Sequence, residues 1–225
     1  MDAIVRSFFY PEALDLNRAR IAHLDSLNLD LKDKSVLETG CGGIGDITSY
    51  LVNKGAEVTL NDYREDNIKH LLKNQNLSLD YNCNDLNIHW STEEKYDIIL
   101  SYGTLYHLKS PDIAIKTFSE HCNEFTIIST VTNGQNDESI NILYENVSPE
   151  QASDGFGCRP GRLFIYNTLK KYFPYVYMLK TQPNHIEYPL QFPSDISNKR
   201  NIFIGSHKII NNELFVTDFV NNYII

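Results

Sequence analysis

Three glycines and one aspartate have the spacing of a site that holds a nucleoside. The glycines follow a short apolar run as Gly40-x-Gly42-x-x-Gly45, and Asp62 stands 20 residues after Gly42. Glycines let the backbone approach a ligand closely, and an acid at this distance accepts hydrogen bonds from both hydroxyls of a ribose. The alternative is that the glycines only make a tight turn and that Asp62 caps the following helix.

Glu38 distinguishes between two kinds of nucleoside ligand. It lies two residues before Gly40, next to the glycine loop. A carboxylate there would repel the pyrophosphate of a dinucleotide, whereas it would attract an ammonium group such as that of S-adenosylmethionine. The charge therefore favours S-adenosylmethionine as the cofactor.

The glycine loop belongs to a pattern of strands that alternate with helices. The predicted strands are 35–39, 57–61, 79–82, 96–101, 125–130, 175–181 and 200–207. The predicted helices are 10–31, 46–53, 65–73, one from about 111, and 162–173. Such alternation predicts a doubly wound α/β domain, a parallel sheet between two layers of helices. We expect a single domain over residues 1–225.

Two segments fall outside the alternating pattern. Residues 1–34 are predicted to form an N-terminal helical segment, because apolar residues recur there at helical spacing. Residues 133–159 are rich in glycine, asparagine and serine and have no clear period. Long loops of this kind often cover active sites, so we interpret 133–161 as a lid or an acceptor-binding insertion.

Four motifs in order resemble those of the class I S-adenosylmethionine-dependent methyltransferases. They are VLETGCGGIGD at 36–46, VTLNDY at 58–63, NDL at 84–86 and YDIILSYGTLYHL at 96–108. The resemblance covers about residues 30–131, and Ile44 departs from it where the family usually has a third glycine. It implies a three-layer, Rossmann-like, mostly parallel seven-stranded sheet with an antiparallel last strand.

The resemblance also implies which residues hold S-adenosylmethionine and its product, S-adenosylhomocysteine. Gly40 and Gly42 would line the methionine part, Glu38 would hold its amine, and Asp62 would bind the ribose hydroxyls. The remaining residues that it assigns to the cofactor are Tyr63 against the adenine, Asp85 and Leu86 at the edge of the adenine, and Tyr102. For Asp85 a turn cap is the alternative, because Asn-Asp is also common turn chemistry.

The loop after the fourth predicted strand contains the candidate catalytic residues. In the family this loop faces the methyl group, and His107 is the one titratable base in it. A histidine near its ordinary pKa of about 6.5 could remove the proton of the methyl acceptor. The alternative is a structural hydrogen bond at a helix start. Tyr106 is the second candidate, with a steric role as an aromatic wall.

The last third of the chain contains candidate acceptor-binding residues. The runs GFGCRPGR at 155–162 and TQPNHIEYP at 181–189 resemble the tail of an uncharacterised bacterial methyltransferase group associated with surface-polysaccharide synthesis. Arg159 and Arg162 could clamp a phosphate or carboxylate of the acceptor, with His185 in the same pocket. Alternatively, the arginines cap loop carbonyls or pair with acids.

Charge and composition limit the other partners. Twenty basic residues against 29 acidic ones give a net charge of −9 at pH 7, which makes a nucleic-acid substrate unlikely. The sequence has no leader-like run and no apolar stretch of roughly 18 residues, so we expect a cytoplasmic protein without membrane contact. Histidines and cysteines are scattered, which predicts no metal. We expect a monomer or homodimer.

We therefore expect an enzyme that methylates an oxygen of a small anionic acceptor, such as a sugar or phosphorylated precursor of a surface glycan. One alternative is a non-catalytic S-adenosylmethionine-binding module of the same fold. A less favoured alternative is an NAD(P)-dependent short-chain reductase, because Ser153, Tyr166 and Lys170 reproduce the catalytic spacing of that family. Tyr166 also lies on an apolar helix face, which favours a packing role.

Overall fold

The computed structural model describes residues 3–146, 148–195 and 199–225. The helices are α1 Ala3–Phe8, α2 Pro11–Ser26, α3 Asp46–Asn53, α4 Glu65–Gln75, α5 Pro111–His121 and α6 Arg162–Tyr172. The strands are β1 Ser35–Thr39, β2 Glu57–Asn61, β3 Asp80–Asn82, β4 Tyr96–Tyr102, β5 Cys122–Thr132, β6 Ile140–Tyr144, β7 Phe156–Pro160, β8 Tyr175–Leu179, β9 Lys199–Ser206 and β10 Phe215–Val216. A 3-10 helix, Leu105–His107, follows β4.

The central sheet is mostly parallel, as the sequence predicts. In the described part of the chain it contains eight strands in the order β10-β8-β9-β5-β4-β1-β2-β3. The strands β1 to β5 pair in parallel, and β9 runs antiparallel between β5 and β8. The count exceeds the expected seven because β10 adds to the edge beside β8. A strand of two residues is too short to show an alternating pattern in the sequence.

Neighbouring residues of the central strands pack against opposite layers of helices. Val36 and Ile98 belong to a core cluster with residues of α2, α3 and α4. Leu37 and Ile99 belong to a second cluster with residues of α5 and α6. A strand that is covered on both faces needs apolar residues at successive positions. This explains the continuous apolar runs in the sequence and gives the three layers.

The segment 133–161 contains secondary structure that the sequence analysis did not predict. Strands β6 and β7 form a separate antiparallel hairpin, in which Ile140 pairs with Pro160 and Tyr144 with Phe156. Most of β6 is exposed, so no buried face imposes an alternation of apolar and polar residues. The hairpin returns the chain to the edge of the site, because β7 continues through Gly161 into α6.

The N-terminal segment contains two helices, where the sequence analysis predicted one over 10–31. Pro11 lies in the first turn of α2, where a missing amide hydrogen has no consequence. Helix α2 ends at Ser26, and Asn28 follows with a φ of +48°. Within the described ranges, no helix is both long and apolar enough to cross a membrane.

Candidate active site

The glycine loop between β1 and α3 leaves little room for side chains at its glycine positions. Gly40 has a φ of +62°, and a Cβ there would lie 2.0 Å from Oγ1 of Thr104. Gly42 has the same φ, and Gly45 supplies a third left-handed position with a φ of +83°. Because Gly45 makes this turn, Ile44 fits where the family usually has glycine, and it packs buried at the loop.

A cavity of about 250 Å³ lies at the carboxyl ends of β1, β2 and β4. Ligands bind at this end of parallel strands in doubly wound sheets. All residues assigned to the cofactor line the cavity: Glu38, Gly40, Gly42, Asp62, Tyr63, Asp85, Leu86 and Tyr102. Both candidate catalytic residues, Tyr106 and His107, line it as well. Helices α1 and α2 and residues 149–153 cover it.

Glu38 is a buried carboxylate at the floor of the cavity. It is 5% exposed, and its Oε2 accepts a hydrogen bond from Oγ1 of Thr48 at 2.7 Å. Burial raises the pKa of Glu38 to about 7, although the hydrogen bond from Thr48 opposes the shift. No cation of the described chain pairs with Glu38, so an ammonium group would find an uncompensated partner here.

Asp62 is held in place by the backbone around it. Its two oxygens accept hydrogen bonds from the amides of Gly42 at 3.0 Å and Arg64 at 2.9 Å, and from Nδ2 of Asn67 at 3.3 Å. Burial raises the pKa of Asp62 in spite of these donors. The carboxylate connects the glycine loop to the start of α4, which fixes its position at the cavity.

Three further cofactor candidates differ in how far their contacts are already made. Asp85 makes the predicted turn, because its Oδ1 accepts from the amide of Asn87 at 2.8 Å, and it also lines the cavity. Tyr63 is 54% exposed at the rim. Tyr102 is buried, and its hydroxyl has no hydrogen-bond partner within the described residues.

His107 forms a close pair with a glutamate from the hairpin. Its Nδ1 lies 2.6 Å from Oε2 of Glu145, which also accepts from the amide of Ala152 at 3.0 Å. Burial lowers the pKa of His107, but the phenol of Tyr106 and the carboxylate of Glu145 outweigh that effect and raise it. The sequence analysis missed Glu145, since it follows β6, 38 residues after His107, with no local motif.

Tyr106 makes polar contacts through its hydroxyl as well as packing contacts through its ring. Its ring lies 4.0 Å from the ring of His107, and its hydroxyl accepts a hydrogen bond from Nη2 of Arg200 at 3.3 Å. The guanidiniums of Arg159 and Arg200 each lie 5.0 Å from the ring centre. Burial raises the pKa of Tyr106, but the charges of Arg200 and His107 prevail and lower it to about 7.

The predicted clamp of Arg159 and Arg162 is not formed. Arg162 is 0% exposed, and its guanidinium donates to Asn201, Asn221 and the backbone of Val220, away from the cavity. The other arginine, Arg159, donates to the carbonyl of Cys158 and packs behind Tyr106. Arg159 lies in β7 and Arg162 lies three residues later, after the turn. Side chains separated by three residues along extended backbone point to different sides, so this spacing does not bring the two arginines together.

His185 is also absent from the cavity wall. Its Nδ1 accepts from the amide of Glu187 at 3.2 Å, which makes a local turn. Glu187 is the member of this segment that reaches the site, because its Oε2 pairs with Nε of Arg200 at 2.6 Å. The acceptor roles predicted for Arg159, Arg162 and His185 therefore have no support in the geometry of the cavity.

The reductase alternative fails on geometry. Tyr166 lies in the core cluster beside α5 and donates to the carbonyl of Thr217, while Ser153 lines the cavity. Lys170 lies over the ring of Tyr166, 4.4 Å from its centre. A catalytic triad of that family would need these side chains together at the cofactor. Among the described residues there is also no group of three or more potential metal ligands.

The fold is a doubly wound α/β sheet, and the cavity at its carboxyl edge has the residues predicted for a nucleoside together with the pair of His107 and Glu145. The chain belongs to the methyltransferase domain family, whose model matches residues 9–183. This confirms the methyltransferase class that the sequence motifs predict, for which S-adenosylmethionine is the expected cofactor. The residues present fit that cofactor, because the close-packed glycine loop and the unpaired carboxylate of Glu38 suit its amino-acid end.

Similar proteins agree with this family. A Coxiella burnetii ubiquinone biosynthesis O-methyltransferase is 34% identical over 104 residues, which are 45% of this chain and 44% of the relative. The chain thus matches less than half the length of that relative. The N-terminal domain of EvdMO1 with bound S-adenosylhomocysteine has a TM-score of 0.64 at 17% identity and covers 86% of this chain and 81% of its own. DesVI from Streptomyces venezuelae has a TM-score of 0.62 at 14% identity, and the match covers 91% of this chain and 98% of DesVI.

Proposed function

We propose that the protein transfers the methyl group of S-adenosylmethionine to an oxygen of a small anionic acceptor. The observation that carries the proposal is the pair of His107 and Glu145 at 2.6 Å in the same cavity as the cofactor residues. A module that only binds the cofactor would not need a positioned base beside it. The curated relatives are O-methyltransferases, which supports an oxygen as the acceptor atom.

The cofactor supplies an electrophilic methyl group on a sulfonium when it is bound. In this proposal the ionised Glu38 and the backbone of Gly40 and Gly42 hold its amino-acid end, and Asp62 accepts from the ribose hydroxyls. The surroundings of Asp62 support this role, because its amide and Asn67 donors leave the carboxylate rigid. Tyr63, Asp85 and Leu86, which line the same cavity, would hold the adenine.

The chain would contribute orientation, exclusion of water and removal of a proton. Glu145 accepts from Nδ1 of His107, which leaves Nε2 as the basic nitrogen, and Nε2 has no partner in the described part of the chain. A base of this kind takes the hydroxyl proton as the acceptor oxygen attacks. The carboxylate of Glu145 stabilises the imidazolium that results. The covering helices exclude water from the reacting atoms.

The acceptor is a proposal in its chemical class. The tail motifs at 155–162 and 181–189 resemble those of proteins associated with surface polysaccharides, which supports a sugar or a phosphorylated glycan precursor. We propose that the protein works in the cytoplasm as a monomer or homodimer.

Calorimetry tests the cofactor assignment. We expect S-adenosylhomocysteine to bind and NAD not to bind. The substitution Asp62→Ala should weaken the binding of S-adenosylhomocysteine by about 1.5–3 kcal/mol, because charge-assisted hydrogen bonds are lost. Asp66→Ala is the control, because Asp66 is an exposed acid four residues after Asp62, in the first turn of α4. Binding of NAD in place of S-adenosylhomocysteine, or equal affinity of the two variants, would contradict the proposal.

A further inference from the structure

Two arginines that the sequence analysis did not single out line the cavity beside Tyr106. Arg20 comes from α2 and Arg200 from β9, and each is 6% exposed. The charges of both guanidiniums lower the pKa of Tyr106, and Tyr188 also lies beside both, so the two side chains converge on the same part of the site. A buried guanidinium requires compensation by an anion or by a full set of hydrogen bonds.

Arg20 has only neutral partners. Its Nε donates to the hydroxyl of Tyr188 at 3.2 Å, and its Nη1 donates to Oδ1 of Asn17 at 3.2 Å. No carboxylate of the described residues forms an ion pair with it. Its Nη2 lies close to Gly103, because a Cβ built on that glycine would be 3.1 Å away. Among the described residues, Arg20 is therefore a buried charge without a carboxylate as counter-charge.

Arg200 is only partly compensated. Its Nε pairs with Oε2 of Glu187 at 2.6 Å, and its Nη2 donates to the hydroxyl of Tyr106. Its Nη1 is buried and has no hydrogen-bond partner in the part of the chain that the structure describes. The hydroxyl of Tyr102, which also lines the cavity, is a second buried polar group without a partner.

One acidic group of the covering segment also contributes to this side of the cavity. Glu150 lines the cavity, influences the ionisation of Tyr10, and has a buried Oε2 without a partner. It forms no ion pair with Arg20 or Arg200 among the described residues. The charge of Arg20 and the Nη1 group of Arg200, which has no partner among the described residues, therefore remain available, and Glu150 can accept hydrogen bonds from hydroxyl groups of a ligand.

We propose that Arg20 and Arg200 bind an oxyanion, a carboxylate or a phosphate, carried by the methyl acceptor. This rests on the proposed function and replaces the clamp that the sequence analysis assigned to Arg159 and Arg162. An acceptor bound there by its anionic group lies beside Tyr106 and His107, where its hydroxyl can reach the base. Guanidiniums suit both oxyanions because their donors match two oxygens at once.

Thermal unfolding in the presence of simple anions tests this site without knowledge of the acceptor. The protein is saturated with S-adenosylhomocysteine and titrated with inorganic phosphate or acetate, against sodium chloride at equal ionic strength. We expect phosphate, acetate or both to raise the melting temperature by about 4 °C at ten times the dissociation constant. The stronger of the two anions distinguishes a phosphate from a carboxylate. If neither anion raises the melting temperature above chloride, the proposal is overturned.

Substitutions then assign the effect to the arginines. Arg20→Gln should abolish the response to the oxyanion, whereas Arg20→Lys should retain part of it because the charge remains. Arg18→Gln is the matched control, since Arg18 lies on the same helix, is exposed and pairs with Asp15. A response that survives in Arg20→Gln would overturn the proposal. Each variant must first show stabilisation by S-adenosylhomocysteine, which verifies its fold.

The same experiment separates the failure of this inference from the failure of the proposed function. A protein that is stabilised by S-adenosylhomocysteine but not by either oxyanion keeps its assignment as a methyltransferase and loses the anion site. A protein that S-adenosylhomocysteine does not stabilise contradicts the cofactor assignment itself. The wild-type measurement alone decides between these results, so the outcome does not depend on how well any variant folds.

Discussion

At the scale of single residues, Tyr106 and His107 influence each other's ionisation. The centres of their rings lie 4.0 Å apart. The charge of His107 lowers the pKa of Tyr106, and the charge of Tyr106 raises the pKa of His107. The pKa of Tyr106 is about 7 and that of His107 lies above its ordinary value, so the two groups titrate as a coupled pair.

Nuclear magnetic resonance of the histidine rings tests this coupling. We expect the titration midpoint of His107 to lie above 6.5 and to fall in Tyr106→Phe and in Glu145→Gln, because each change removes a group whose negative charge raises it. Tyr144→Phe is the control, since Tyr144 is an exposed tyrosine of the hairpin. Unchanged midpoints in both test variants would contradict the coupling. The signal is assigned by its loss in His107→Asn.

The raised pKa of Glu38 predicts that cofactor binding releases a proton. Its pKa is about 7 in the folded protein, and an ammonium group beside it stabilises the ionised form. At pH 6 we expect S-adenosylhomocysteine to displace up to about one proton, and none at pH 9, measured by calorimetry in buffers of different ionisation enthalpy. Glu38→Gln should remove the release at pH 6. Equal proton release by the wild type and this variant would contradict the role of Glu38.

The raised pKa of Glu38 also determines the direction in which this residue makes stability depend on pH. The folded state keeps the proton of Glu38 up to about pH 7, while the unfolded chain loses it near the ordinary value of 4.5. The contribution of this group to the free energy of unfolding is therefore complete below pH 4.5 and is lost as the pH rises to about 7. In the proposed site, an ammonium group bound beside Glu38 would offset that loss, because it stabilises the ionised carboxylate.

At the scale of elements, a covering segment is attached to the site by side chains that donate to its backbone. Arg64 donates to the carbonyls of Gln151 at 2.8 Å and Ala152 at 3.2 Å. Asn67 donates to the carbonyl of Pro149 at 2.9 Å. Residues 149–153 contain no helix or strand, so these bonds replace the ones that secondary structure would supply. The insertion predicted at 133–161 thus contributes the cover as well as Glu145, the partner of His107.

Hydrogen exchange tests the attachment of this segment. We expect Arg64→Ala to speed amide exchange over residues 148–153 by about 10-fold, because two hydrogen bonds to the backbone are lost. Lys69→Ala is the control, since Lys69 lies on α4 five residues after Arg64 but forms an exposed pair with Glu65. Equal exchange in the two variants would show that other contacts hold the cover.

At the scale of the whole molecule, Arg162 connects parts of the chain that are far apart in sequence. Its guanidinium bonds Asn136 of the insertion, Asn201 of β9 and Tyr223 of the C-terminal tail. It also lies 3.9 Å from the centre of the ring of Phe192. A fully buried cation with this many neutral partners acts as a junction between the sheet, the hairpin and the tail.

Denaturant unfolding tests this role. We expect Arg162→Leu to lower the free energy of unfolding by about 3 kcal/mol, because several buried acceptors lose their donor. The affinity for phosphate or acetate should stay unchanged, which distinguishes a structural arginine from the acceptor clamp predicted from sequence. Lys171→Leu is the control, since Lys171 is an exposed cation at the end of the same helix. A variant as stable as wild type would contradict the interpretation.

The sequence by itself determined the features that depend on neighbours along the chain. Strands buried on both faces require continuous apolar runs, and a tight strand-to-helix turn requires glycine, so β1, β2, the glycine loop and α3 could be predicted within a residue. The residues predicted to bind the cofactor lie at or after the carboxyl ends of β1 to β4, and each of them lines the cavity. Local rules were sufficient at this end of the site.

Only the tertiary structure decided the acceptor end. Glu145, Arg20 and Arg200 meet Tyr106 and His107 from a hairpin, an N-terminal helix and a late strand, and no motif connects them in sequence. The spacing of Arg159 and Arg162 suggested a pair, but backbone direction separates them. Side chains that meet through the packing of remote elements leave no local periodicity, because their contact depends on how those elements pack and not on their distance along the chain.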